Sequence, residues 1–286
     1  MNVLSLFDGM SCGQIAFDKL GIKFDGKSNK YFASEIKKHA IKVTQYTYPN
    51  TIQLGDVNKI KLSELPKIDL VIGGSPCQDI STLKPNGKGI YGNKSKLFFV
   101  YMDILRTLKP KYFLLENVNG KKESINAITQ WIGVNPININ SNLVSFQNRD
   151  RLYWTNISDV THPKDRKISF QDYKESNLEI CSQYKVKRTP SRERMWGDGK
   201  KGQCPNVTYR KKINCLTCKQ DRWSNAGLIE FEDFCRFLTV KECELAQTVP
   251  IGYTSCLTRS QAYDVLGDGW TVDVIAHIFK GLKGES

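Results

Sequence analysis

Cys77 stands in Gly73-Gly74-Ser75-Pro76-Cys77-Gln78-Asp79, directly after the apolar run Leu70-Val71-Ile72. A thiol on a glycine-rich turn at the carboxyl end of a buried strand sits where open α/β sheets bind ligands. It serves there as a nucleophile if a positive group is near. A buried core thiol is the ordinary alternative, and the spacing leaves both open. Glu116 follows the apolar run 112–115 in Glu116-Asn117-Val118. A carboxyl group at such a strand end is partly desolvated, which raises its pKa and lets it donate a proton near neutral pH. A hydrogen-bonded structural glutamate is the other reading. In Gln147-Asn148-Arg149-Asp150-Arg151, alternation along an extended segment puts Arg149 and Arg151 on one face as a cationic wall. A surface charge pair accounts for them equally.

A second group of residues suits a nucleotide-like ligand. In Phe7-Asp8-Gly9-Met10-Ser11-Cys12-Gly13, small residues between a strand and a helix let a ligand approach backbone N–H groups. The pattern is not G-x-G-x-x-G, so a dinucleotide site is unsupported. Glu35, at the end of the second strand, has the position of a ribose-diol acceptor, and Asp56 that of an acceptor for an adenine amino group. A tight turn, a capping glutamate and a turn aspartate remain open for these three. Gly87 and Gly92 have P-loop spacing, but Asn93 stands where lysine is required. Cys215-Leu216-Thr217-Cys218 has C-x-x-C spacing without a convincing second pair, and His39, His162 and His277 are isolated. No metal site is expected.

The elements that must hold these residues follow from periodicity. Strands are expected at 3–7, 31–34, 70–73, 112–115, 137–140 and 152–157, with helices at 14–20, 36–48, 97–108 and 123–132. Buried parallel strands with helical crossovers make a doubly wound, mostly parallel α/β sheet the expected fold. Regular helix returns at 239–247 and 271–283. Between 162 and 223 the periods fade, and sixteen Lys/Arg face seven Asp/Glu. Nine of the thirteen net positive charges of the 286-residue chain lie there, interleaved with Tyr184, Trp196, Tyr209 and Trp223. A solvated, loop-rich insertion is one reading, and a nucleic-acid-reading module the sharper one. Hydrophobic residues at 40% exclude a mostly disordered chain. No apolar run reaches membrane-spanning length. The nine cysteines and the unremarkable N-terminus point to reduced thiols and the cytoplasm.

In their order, these motifs resemble the cytosine-C5 DNA methyltransferase family: Phe7-Asp8-Gly9, Glu35, Asp56, Pro76-Cys77-Gln78, Glu116-Asn117-Val118, and Gln147-x-Arg149-x-Arg151. Arg236-Phe237-Leu238-Thr239-Val240-Lys241-Glu242, with Gln247 and Pro250 following, resembles its R-x-L-T-x-x-E block. Gly267-Asp268-Gly269-Trp270-Thr271 resembles its last block, with Asp268 where asparagine is usual. Several stretches are similar to the branch that includes the animal de novo enzymes.

The resemblance implies a Rossmann-like class I fold that uses S-adenosyl-L-methionine, with a small basic target-recognition domain. The implied division is 1–160, catalytic and cofactor-binding, 161–255, target recognition, and 256–286, packing back on the first. It assigns catalysis to Cys77, Glu116, Arg149 and Arg151. Cofactor contacts fall to Phe7, Asp8, Gly9, Ser11, Cys12, Glu35, Ile36, Asp56, Val57, Pro76, Leu97, Asp268, Gly269 and Trp270. The segment 80–96 is expected to close over a cytosine flipped out of double-stranded DNA. A monomer is expected, with no membrane association, and with a restriction endonuclease as a functional but not physical partner. A tRNA cytosine-C5 methyltransferase on the same scaffold and a catalytically silent DNA-binding homologue are the alternatives. The intact set Cys77, Glu116, Arg149 and Arg151 weighs against the silent one.

Overall fold

The computed structural model describes residues 1–74, 96–187, 189–190, 196–197, 204–222 and 225–283. Apolar runs become the strands β1 (Asn2–Leu6), β2 (Lys30–Ser34), β3 (Ile52–Gln53), β4 (Leu70–Gly74), β5 (Tyr112–Val118), β6 (Ile137–Asn140) and β7 (Asp150–Thr155). Between them lie the helices α1 (Cys12–Lys19), α2 (Lys38–Thr47), α3 (Lys96–Leu108) and α4 (Lys122–Ile132). The strands form one seven-stranded sheet in the order β3-β2-β1-β4-β5-β7-β6. β1 runs parallel to β2 and β4, and β4 parallel to β5, whereas β7 is antiparallel to β5. The doubly wound, mostly parallel sheet is as expected. Strand order reverses between β1 and β4, and ligands of open α/β sheets bind at the carboxyl ends of the strands flanking such a point.

Alternation divides the strand side chains between two faces. Leu4, Leu6, Phe32, Val71 and Leu115 join Phe98, Tyr101 and Met102 of α3 in one buried cluster. On the other face α1 comes so close that a Cβ on Gly13 would lie 2.5 Å from Tyr31 Oη and 2.6 Å from Ile72 Cδ1. Only glycine permits that approach.

The chain divides into two compact units. The first is Met1–Ile139, Asp150–His162 and Ile275–Ser286; the second is Asn140–Arg149 and Pro163–Val274. This differs from the expected division at two places. Residues 140–149 and 256–274 cluster with the second unit, because long-range hydrogen bonds described below hold both there.

The second unit has little regular structure. It contains α5 (Leu178–Ser182), β8 (Lys185–Val186), a parallel pair β9 (Trp196–Gly197) and β10 (Cys204–Pro205), β11 (Leu228–Glu230) and β12 (Cys235–Phe237). β11, β12 and β8 form a small antiparallel sheet. α6 (Val240–Ala246) and α7 (Arg259–Asp268) follow, each opened by a capping box, Thr239 with Glu242 and Thr258 with Gln261. Sequence periodicity places no helix at 259–268, although Thr258-x-x-Gln261 is a legible start signal. α8 (Val272–Phe279) begins in the second unit and ends in the first.

Candidate active site

Glu116 lies inside β5, which runs three residues past the apolar segment that marks it in sequence. In register, Glu116 faces Gly74 on β4 and Tyr153 on β7, and Val118 faces Arg151. The diagonal across the antiparallel pair brings Arg151 Nε to 2.9 Å from Glu116 Oε1. Both side chains are largely buried, at 16% and 11% exposure. The expected carboxyl at an apolar strand end is therefore held in an ion pair. Arg151 also donates to the Asp150 carbonyl, and Asp150 accepts from Asn119 and Asn138. The strand end is thus tied on both sides. Gly74, opposite Glu116, is the last described residue before 96. Pro76, Cys77 and all but the last residue of the expected closing segment 80–96 lie outside the described residues. So do Trp223 and the side chain of Trp196.

The two arginines do not form one wall. β7 begins at Asp150, so Arg149 is outside the strand whose alternation would align it with Arg151. Arg149 belongs to the second unit, is 4% exposed, and donates to three backbone carbonyls and one cysteine sulfur of that unit. Its Nη2 donates to the carbonyls of Gly269 at 2.8 Å and Gly267 at 3.2 Å. Its Nη1 donates to the Leu216 carbonyl and to Cys215 Sγ. Sequence reasoning missed this use of Arg149, and it missed the buried amides that support the same turn. Gln147 Nε2 donates to the Ala246 carbonyl and to Gln247 Oε1, and Gln247 Nε2 to the carbonyls of Leu266 and Gly269. Thr271 completes the group by donating to Gln247 Oε1.

The first unit assembles the nucleotide-like residues at the carboxyl ends of β1 and β2. Phe7, Gly9 and Ser11 all have positive φ, near +59°, so the turn is tightly wound. A Cβ at Gly9 would meet nothing within 4 Å, and the space above the turn is open. Asp8 anchors the turn from below, accepting from Tyr31 Oη at 2.9 Å and from the Ser11 hydroxyl. Burial pushes the Asp8 carboxyl up to about 6; hydrogen bonds from Ser11, Ser5 and Tyr31 oppose the rise and the charge of Glu35 adds to it. Glu35 Oε2 accepts the Gly9 N–H at 2.8 Å, and Oε1 accepts the N–H groups of Ile36 and Lys37. Beside it Ile36 is 72% exposed, an uncovered apolar side chain next to an anchored carboxylate.

Asp56 caps the short 3-10 turn Val57–Lys59, and hydrogen bonds from Asn58 hold its carboxylate below the usual range. Val57 is buried in the core cluster, the partly buried Leu97 packs against it, and Cys12 is buried in the first turn of α1. A carboxylate for a diol, an acceptor for an amino group and an open glycine turn fit the donor set of an adenosyl cofactor. Asp268, Gly269 and Trp270 fall in the second unit, where Asp268 Oδ1 accepts the Cys218 thiol at 2.7 Å. With Asp264, these two form the candidate metal-ligand group among the described residues.

Comparisons with known proteins follow this geometry. Residues 1–180 match the family model described as C-5 cytosine-specific DNA methylase. The orphan methyltransferase M.Rho11sI of Bacillus phage rho11s is 32% identical over 166 residues, covering 54% of this chain and 32% of the phage protein. The type II methyltransferase M.NlaIV of Neisseria lactamica is 37% identical over 119 residues, covering 41% of this chain and 27% of that protein. The chain thus spans about a third of the length of the curated relatives it matches. Among solved structures, the Entamoeba histolytica methyltransferase EhMeth superposes with a TM-score of 0.77 at 18% identity, covering 99% of both chains. The S. pombe Dnmt2 methyltransferase gives 0.75 at 18% identity, with the same coverage. At that identity the likeness establishes the fold.

Proposed function

The chain belongs to the C-5 cytosine-specific DNA methylase family, and we propose that it methylates C5 of a cytosine in double-stranded DNA. The observation that carries this reading is the Glu116–Arg151 ion pair on β5 and β7, with Glu116 in register with the Gly74 that leads toward Cys77.

Cytosine C5 is a weak nucleophile. The Cys77 thiolate adds to C6, forming a C–S bond, and the C5=C6 electron pair shifts to make C5 nucleophilic. A proton held between Glu116 and N3 of the base binds the ring and neutralises the negative charge that thiolate addition develops on it. Arg151 orients the Glu116 carboxyl for that contact. S-adenosyl-L-methionine, when bound, supplies the electrophilic methyl group. Glu35 would take its ribose diol, Asp56 and Val57 its adenine, and the Phe7–Gly9 turn and Ile36 its flanks. Loss of the C5 proton returns the electron pair and expels Cys77. The target base must leave the duplex stack for any of this, and the basic second unit is the reading surface for the DNA around it.

The test is transfer of labelled methyl from S-adenosyl-L-methionine to duplex DNA, followed by bisulfite sequencing, with Cys77→Ser and a tRNA substrate alongside. C5-methylation within one short motif, lost in Cys77→Ser, is the expected result. Labelled tRNA with unlabelled DNA would overturn the substrate, and no labelling of either would overturn the activity.

A further inference from the structure

Tyr209 is 89% exposed, more than any other large hydrophobic residue among the described residues. Its backbone is nevertheless firmly held. Tyr209 lies at the centre of a turn closed by the Arg210 N–H on the Val207 carbonyl. Val207 N–H donates to the Leu228 carbonyl, and Asn206 Oδ1 accepts both the N–H and the hydroxyl of Thr208. The Thr208 hydroxyl in turn accepts the Glu230 N–H.

A distant segment clamps the other side. Lys174 Nζ donates to the Thr208 carbonyl at 2.8 Å, Gln171 Nε2 to the Arg210 carbonyl at 2.8 Å, and Phe170 N–H to the Lys211 carbonyl at 2.7 Å. The Lys174 ammonium lies 5.8 Å from the centre of the Tyr209 ring. Tyr173, 42% exposed, stacks on Phe146 on the neighbouring segment. An aromatic ring is thus displayed on a rigid turn, followed in sequence by the half-buried Arg210 and the exposed Lys211, in the part of the chain that carries most of the net positive charge.

We propose that the Val207–Lys211 turn is a DNA-reading element in which the Tyr209 ring packs against base edges and sugars in a groove of the target duplex and Lys211 contacts a phosphate. This rests on the DNA-methylating reading above. The occupant follows from charge: an exposed ring beside the exposed Lys211 matches a polyanion whose grooves present apolar base-edge and sugar surface, since base-edge contacts and phosphate contacts are separate parts of duplex binding. The clamped backbone means that the ring is ordered before binding, so little conformational entropy is lost on contact.

The experiment measures duplex binding by the full chain with cofactor present, together with its bisulfite profile, for Tyr209→Ala, Tyr209→Phe and Lys211→Ala. Tyr209 is 89% exposed and its ring has the Lys174 ammonium over one face at 5.8 Å, while the backbone bonds of the turn do not involve the side chain, so the variants should fold. Tyr209→Ala is expected to weaken DNA binding about tenfold, the order for losing a buried aromatic contact, with cofactor affinity unchanged and Tyr209→Phe close to the parent. Lys211→Ala should lower the slope of log affinity against log salt by about 1, and Tyr209→Ala should leave that slope alone. Unchanged DNA affinity and methylation profile in Tyr209→Ala would overturn the proposal while the parent enzyme still methylates DNA. A parent chain that labels tRNA and ignores DNA would overturn both readings together, a distinguishable outcome.

Discussion

Arg151 pairs with Glu116 across two antiparallel strands, Nε to Oε1 at 2.9 Å, while Arg149, two residues earlier, serves a different unit of the chain. Two arginines of one short motif thus have separate tasks, and their substitution should separate as well.

Glu116→Gln keeps the shape but removes the charge that Arg151 faces. Its methyl transfer is expected to fall at least about 100-fold in kcat, the range for losing a positioned acid–base group. Arg151→Met should show a similar fall in kcat, plus a stability loss of about 1–3 kcal/mol for leaving a largely buried carboxylate without its partner. Single-turnover methylation together with urea unfolding would check this. A full-rate Arg151→Met enzyme would remove the orienting role.

Arg149→Lys tests the other task. Lysine cannot fork onto the carbonyls of Gly267, Gly269 and Leu216 at once. The expected outcome is a loss of about 2 kcal/mol from the unfolding of the second unit, with adenosyl-cofactor binding to the first unit retained. Urea unfolding followed by a fluorescence probe in the second unit measures the first quantity, and calorimetric cofactor titration the second. Unaltered stability would return Arg149 to a contact with the reacting base.

Asp8 predicts a pH dependence. Its carboxyl holds a proton more tightly in the folded chain, at about 6 against the ordinary 3.8. This contribution therefore favours folding at low pH and is lost as pH rises from about 4 to about 6. The shift corresponds to at most about 3 kcal/mol, and partial exposure of the turn reduces the expected amount to about 1–2 kcal/mol. Asp8→Asn should lack this component. The stability difference between parent and variant, measured by urea unfolding at a series of pH values, should shift by that amount across the window. A constant difference would count against the anchored, proton-holding Asp8.

Arg236 and Glu242 form a fully buried bidentate pair, with both side chains at 0% exposure and bonds of 2.7 and 2.8 Å. Glu242 also accepts the N–H groups of Thr239 and Glu175. Removing one partner of such a pair leaves an uncompensated buried charge and costs about 3–5 kcal/mol. Arg236→Met should therefore unfold the second unit at much lower urea, while circular dichroism of the parallel sheet persists. Unchanged stability would mean that the Thr239 and Glu175 N–H groups suffice for the Glu242 carboxylate and that the ion pair contributes little.

The sequence by itself determined the α/β character, most of the strands and helices of the first unit, and the order of the motifs. These follow from interactions between near neighbours: an apolar run buries as a strand, 3.6-residue periodicity buries one face of a helix, and glycine admits a tight turn. It also located the charge in the second unit, which is a matter of counting. It did not reveal the two- and three-residue strands β8 to β12, which are too short to show a period, nor α7, whose apolar residues make no clear stripe.

Only the tertiary structure decided the partners. Alternation predicted a shared face for Arg149 and Arg151, but the strand begins between them, and beyond that boundary the rule no longer holds. Glu116 acquired Arg151 because β5 and β7 are antiparallel neighbours in one register. Arg149 acquired the carbonyls of Gly267 and Gly269, more than a hundred residues away, because buried backbone oxygens need donors. Tyr209 became a displayed ring because Lys174 and Gln171 hold its turn from another segment. Such pairings are set by the free energy of the whole packed chain, and short-range pattern carries little information about them.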